Sequence, residues 1–100
     1  MIIVTGEVRF GDGEIERLKG ALARNVEASR REDGCERYAY SVDILDPDVL
    51  RISEAWRDQA ALDAHNRKIP ELMAPLADAK IEAISIKAWS AEFLQTVMGD

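Results

Sequence analysis

Apolar and polar positions alternate along four stretches of the chain and recur at helical spacing along two others. Ile2, Val4, Val8 and Phe10 alternate with Ile3, Thr5, Glu7 and Arg9, the period of two that a pleated strand imposes. Gly6 falls on the apolar side, where a bulge or close packing is the usual reason and room for a ligand the other. Gly11-Asp12-Gly13 then turns the chain into a helix over 14–31. Its stripe Ile15, Leu18, Leu22, Val26 and Ser29 recurs at three and four residues, with Glu16, Arg17, Arg24, Glu27 and Arg30 off the stripe. Gly34 stands where a left-handed cap is wanted.

A second strand over 35–45 places Tyr38, Tyr40, Val42 and Ile44 on one face, and Asp46-Pro47-Asp48 reads as the turn of a hairpin. From Leu50 a third strand sets Leu50, Ile52, Glu54 and Trp56 on one side and Arg51, Ser53, Ala55 and Arg57 on the other. Asp58 is an N-cap for a short helix over 59–65, with Leu62, His65 and Ile69 on one stripe. The spacing predicts a break near Arg67-Lys68. Pro70 opens a further helical piece over 71–77, which Pro75 kinks or shortens. The last strand, 80–89, divides into Ile84, Ile86 and Ala88 against Ile81, Ala83, Ser85 and Lys87. The order β-α-β-β-α-β defines an α+β class: a four-stranded antiparallel sheet with helices on one face, the ferredoxin-like arrangement.

One hundred residues make a single domain, 1–100, and a chain this short buries a modest share of its surface alone. The strand faces away from the helices carry Ala39, Ser41, Ser53, Ala55, Ala83 and Ser85, small enough for a second sheet to pack closely. Phe93, Leu94, Val97 and Met98 add an apolar tail that is a liability in a monomer. Both features predict a homodimer, with residues 93–100 packing on the partner subunit. A net charge of −6 with no basic run disfavours nucleic acid. No apolar run reaches the length of a membrane span and no basic-then-apolar leader opens the chain, so no membrane association is expected, and the cytoplasm is the expected location. One cysteine and one histidine leave no His/Cys-rich metal site and no internal disulfide. No glycine-rich phosphate loop occurs.

The remaining chemistry is a pocket-type group: Trp56 with Tyr38 or Tyr40 as aromatic walls, His65 as proton acceptor, and Glu54 as the residue that orients it. Each has a plainer reading. His65 and Trp56 serve a core equally well, the tyrosines are core aromatics whose hydroxyls reach water, and Cys35 is a small buried residue. A carboxylate such as Glu54 on an apolar strand face needs a partner, and an Arg or Lys from a helix or a dimer mate would also supply one.

A strand ending Glu54-x-Trp56, followed by a helix carrying Ala61-Leu62-x-x-His65, resembles the antibiotic-biosynthesis monooxygenase family. Asp33-Gly34-Cys35-Glu36-Arg37-Tyr38 is similar to that family's helix-to-strand turn, and the likeness extends over roughly residues 2–89. The resemblance implies a homodimeric α+β barrel and a monooxygenase that oxidises a quinol or polyphenolic aromatic with dioxygen, using no metal, flavin or other cofactor. It further implies His65 as base, Glu54 as the group that fixes its tautomer, and Trp56, Tyr40 and Tyr38 as substrate walls. Two features depart from the pattern: Ile69 and Pro70 stand where many members carry a second histidine, and no pocket asparagine is evident on the third strand. The haem-degrading relatives, with their Asn-Trp-His set, are a poor match. A non-catalytic small-molecule binding or sensing barrel is the alternative, and a plain dimerisation module a third.

Overall fold

The computed structural model describes residues 1–100 as β1 (Ile2–Phe10), α1 (Glu14–Arg30), β2 (Cys35–Asp43), β3 (Asp46–Trp56), α2 (Gln59–Met73) and β4 (Ile81–Ser90). The strands form one antiparallel sheet in the order β2-β3-β1-β4, the ferredoxin-like topology expected from the alternation.

Register places the side chains in rows across the sheet. On the helix side one row is Tyr38, Glu54, Val4 and Ala88, and the next is Tyr40, Ile52, Gly6 and Ile86. Gly6 is there for close packing: a Cβ at this position would lie 2.8 Å from Ile86 Cγ1 and 2.9 Å from the Ser85 carbonyl oxygen. Val8, Phe10, Leu50 and Ile52 pack with Ile15, Leu18 and Leu22 of α1 in one buried cluster. Each such fully buried aliphatic or aromatic side chain stabilises the fold by about 1.5–3 kcal/mol. A second cluster joins Val4, Tyr38 and Trp56 to Ala61 and Leu62 of α2.

The structure corrects four local expectations. The β2–β3 hairpin turns at Ile44-Leu45, with Asp43 paired to Asp46; Asp43 Oδ2 accepts the Leu45 N–H at 3.0 Å, so Asp46 and Pro47 already belong to β3. Helix α2 does not break at Arg67-Lys68 but runs through Pro70 to Met73, then tightens into a 3-10 turn, Ala74–Leu76, that contains Pro75. Pro70 removes the N–H that the Asn66 carbonyl would accept, a cost of about 3 kcal/mol in a helix interior. Buried His65 before it and buried Leu76 after it hold the segment in place regardless. A register shift opposite Arg9/Phe10 pairs Phe10 with Ile81, which carries Ile81 to the helix side instead of leaving it with Ala83. Finally, the apolar face of β4 has no helix over it: all ten residues are exposed, Ile84 by 60%.

The face away from the helices is mixed rather than uniformly small. Ile3, Ala55 and Trp89 share one row, whereas Arg51 bridges Glu7 and Asp43 two rows away, and Arg9 pairs with Asp46 at 2.6 Å. Residues 91–100 carry no helix or strand, and Phe93, Leu94, Val97 and Met98 are exposed.

Asp58 caps α2 as expected, its Oδ1 accepting the Ala61 N–H at 2.9 Å. Asp58→Ala is expected to cost about 1 kcal/mol of unfolding free energy. The measurement is a urea midpoint, and an unchanged midpoint would mean that packing alone holds the start of α2.

Candidate active site

Strand β3 delivers two residues to the site from adjacent positions on its helix side. Trp56 is completely buried, and its indole N–H donates to Glu54 Oε1 at 2.9 Å. The bond anchors a carboxylate that the alternation of β3 forces onto an apolar face, where an unpaired charge is costly. Burial pushes the Glu54 carboxyl above the usual carboxylate range; the Trp56 bond and His65 act in the opposite direction, and Glu32 adds to the rise. The second carboxylate oxygen has no partner within the chain.

Tyr38 and Tyr40, two residues apart on β2, point the same way, and their hydroxyls lie 3.0 Å apart. Burial raises both phenols above their ordinary range. Asn25 Nδ2 and Ser29 Oγ, both on α1, are buried without a hydrogen-bond partner.

His65 reaches the same region from α2. It is 4% exposed, its ring lying 4.7 Å from Trp56 and 5.4 Å from Tyr38 between centroids. Its Nδ1 stands 2.6 Å from Glu32 Oε2, and Lys68 Nζ lies 3.6 Å from the other oxygen of Glu32. The residue on Nδ1 is therefore Glu32 and not Glu54, whose hydrogen bond goes to the indole.

Between the sheet and α2 opens a cavity of about 430 Å³, lined mainly by apolar side chains, with Tyr38, Tyr40, Glu54, His65 and Asn66 among its walls. An apolar cavity near 150 Å³ already accepts benzene, so this one holds a substituted aromatic ring with room to spare. Of the residues predicted for the site, Tyr38, Tyr40, Glu54 and His65 line the cavity together. Trp56 does not: it lies behind them, packed against His65 and Tyr38, and holds the wall rather than forming it.

Glu32 and Asn66 are wall or support residues that the sequence pattern passes over. Ser29 carried one signal, a polar residue on the apolar stripe of α1. No group of three or more His, Cys, Asp or Glu side chains converges on a common point, and Cys35, half-buried at the start of β2, packs against the cluster of Tyr38 and Trp56 without lining the cavity. No helix is long and apolar enough to cross a membrane.

A ferredoxin-like sheet that shelters an apolar cavity with one imidazole and one carboxyl on its walls defines the class of α+β domain. The sequence profile of the antibiotic biosynthesis monooxygenase family matches residues 1–69, and the chain belongs to that family. A crystal structure of a candidate antibiotic biosynthesis monooxygenase from Deinococcus radiodurans superposes with a TM-score of 0.88 at 26% identity, covering 99% of this chain and 100% of the other. A second candidate from Nitrosomonas europaea gives 0.82 at 21% identity over 93% and 100% of the two chains, and supports the fold. An uncharacterized Synechocystis protein, sll1783, is 30% identical over 93 residues, covering 84% of this chain. The chain spans 63% of the length of that curated relative.

Proposed function

We propose that the chain is a cofactor-independent monooxygenase that oxidises a quinol or polyphenolic aromatic with dioxygen. The observation that carries this reading is an apolar cavity of about 430 Å³ onto which both His65 and Glu54 open. His65 takes the proton of a phenolic hydroxyl, leaving the electron pair on oxygen. The resulting phenolate is electron-rich enough to reduce dioxygen. One oxygen atom enters the ring, the other leaves as water, and the substrate supplies all the electrons. Glu54, whose carboxyl burial raises above the usual range, stands on the same cavity beside the base. Tyr38 and Tyr40 supply the aromatic walls. Oxygen uptake with a panel of quinols is the test. Consumption that depends on the quinol supports the reading; tight binding with no consumption replaces it with a small-molecule sensing barrel.

We also infer a homodimer formed through the sheet face away from the helices, with the apolar tail packing on the partner subunit. On that face Trp89 is 55% exposed beside Ile3, a large apolar surface for a monomer to leave in water. Ala55 is a poor probe, because it is already buried within one chain. Trp89→Lys leaves the protomer core untouched and places a charge in the interface. Sedimentation is expected to give twice the chain mass of 11.2 kDa for the wild type and a monomer for the variant. A dimer indifferent to Trp89→Lys would move the interface elsewhere.

A further inference from the structure

Glu32 sits in the turn between α1 and β2, where an acidic side chain ordinarily points into water. Here the side chain is only 11% exposed. The turn is held by its backbone: the Glu32 N–H donates to the Ser29 carbonyl at 3.1 Å, and the Glu32 carbonyl accepts the Cys35 N–H at 3.1 Å. Gly34, at φ +81, lets the chain reverse with no Cβ where Ala61 of α2 presses in. The turn therefore aims one carboxylate at one imidazole across 33 residues of sequence.

His65 faces two spaces. On one side is the apolar cavity; on the other is a cleft of about 210 Å³, bordered by Glu32, Asp33, Arg57, Lys68 and three alanines of α2. Nδ1 points to Glu32, and Nε2 makes no hydrogen bond within the chain. An ionised carboxylate only accepts, so the nitrogen facing it carries the proton, and in the neutral ring Nε2 keeps its lone pair. Stacking on Trp56 holds the ring in this orientation.

We propose that Glu32 is a positioning residue that fixes His65 in its Nδ1–H tautomer and directs the Nε2 lone pair at the cavity. This rests on the reading of His65 as the base. The substrate's O–H bond breaks, its proton bonds to Nε2, and the pair stays on the substrate oxygen. The imidazolium so formed is held by the Glu32 carboxylate. The Nε2 proton then returns to the reduced oxygen that leaves as water, so the ring ends neutral in the same Nδ1–H tautomer with Nε2 free for the next substrate. A carboxylate on a histidine is known to act in this way in other sites, through orientation and charge rather than by reacting. Lys68, itself 56% exposed, holds the second oxygen of Glu32 from the solvent side.

The chain has one histidine, so ring-nitrogen NMR reads this tautomer without assignment ambiguity. Above the imidazole titration the wild type is expected to show Nδ1–H. Glu32→Ala is expected to release the ring to the Nε2–H form that imidazole favours in water, and Glu32→Gln, which keeps an acceptor oxygen, to retain Nδ1–H. With a consumed quinol, Glu32→Ala is expected to lower kcat at least tenfold with KM within about twofold, and Glu32→Gln to recover part of the loss. Nε2–H in the wild type, or Nδ1–H persisting in Glu32→Ala, overturns the proposal. So does a kcat unchanged by Glu32→Ala. Should Glu32→Ala fail to fold, Glu32→Ser shortens the same side chain beyond reach of the ring and is read in the same way. Absence of oxygen uptake in the wild type strikes the enzymatic reading alone, since the tautomer is measured without substrate.

Discussion

Replacing His65 with alanine is expected to lower quinol-dependent oxygen uptake by about 10²–10⁴, which corresponds to roughly 3–5 kcal/mol of barrier. The cavity offers no second imidazole, because Ile69 and Pro70 occupy the following turn of α2. Glu54 opens onto the same space, but one of its oxygens is taken by the Trp56 indole N–H. Truncation also strips Glu32 of its imidazole partner, so the variant loses stability as well, and turnover is to be compared well below both melting transitions. His65→Gln separates the two effects: it retains much of the volume and a polar group toward Glu32 while removing the titrating nitrogen. Low activity in both variants with near-native stability in His65→Gln supports a base. Wild-type turnover in His65→Ala would reduce the residue to packing and end the monooxygenase reading.

The second large effect is on stability and falls on Trp56→Phe. Trp56 is completely buried, and its N–H is the donor that holds Glu54. Losing a hydrogen bond to a charged group costs about 1.5–3 kcal/mol. The smaller ring leaves a void worth roughly a further 1 kcal/mol. The deficit also depends on pH, with a definite sign. The Trp56 bond lowers the Glu54 carboxyl against the pull of burial, so the variant's folded state holds that proton to still higher pH. A group raised in the folded state contributes stability that is present below its unfolded value and lost as pH rises through the folded one. The gap between variant and wild type is therefore expected to be smallest below about pH 4, near the unfolded glutamate value, and to widen toward neutrality. Urea midpoints at the two pH values and one fixed protein concentration measure it. A deficit that does not change with pH would mean that Glu54 finds another donor when the indole is gone.

Much of the architecture was legible in the alternation. Ile2 to Phe10, Tyr38 to Tyr40 and Leu50 to Trp56 announced their faces because one side of each stretch is largely buried, and register follows from burial. Asp58 announced the start of α2. Its length was not legible: Pro70 reads locally as a boundary, and only anchoring by His65 and Leu76 carries the helix through it. Ile81 could not be assigned a face either, since the irregularity in β4 is set by its pairing with Phe10. For the site, Glu54 was singled out rightly as a carboxylate that needed a partner, but the partner is two residues along its own strand. Glu32 left no trace in the pattern. Nothing local distinguishes a turn glutamate bound to water from one bound to a histidine 33 residues later. Trp56 was visible as a large inward residue, and whether such a residue faces ligand or core depends on the depth of packing, which periodicity does not encode.

The first strand made is a central strand of the sheet, and this dictates the order in which the chain can assemble. β1 pairs only with β3 and β4, so as the protein emerges from the ribosome its N-terminal residues wait for partners beyond residue 45. The β2–β3 hairpin, closed by the two residues Ile44 and Leu45, needs no such wait and is the local nucleus available first. β4 lies furthest along the chain, and Glu14 at the start of α1 accepts the Lys80 N–H just before it across 66 residues. Contacts of that span require long loops to close before they are rewarded, which places this chain with the slower-folding small domains rather than with helical bundles of equal length. Until β4 docks, the outer edge of β1 is an unpaired strand with Val4, Val8 and Phe10 on one face, the segment most exposed to misassociation during synthesis.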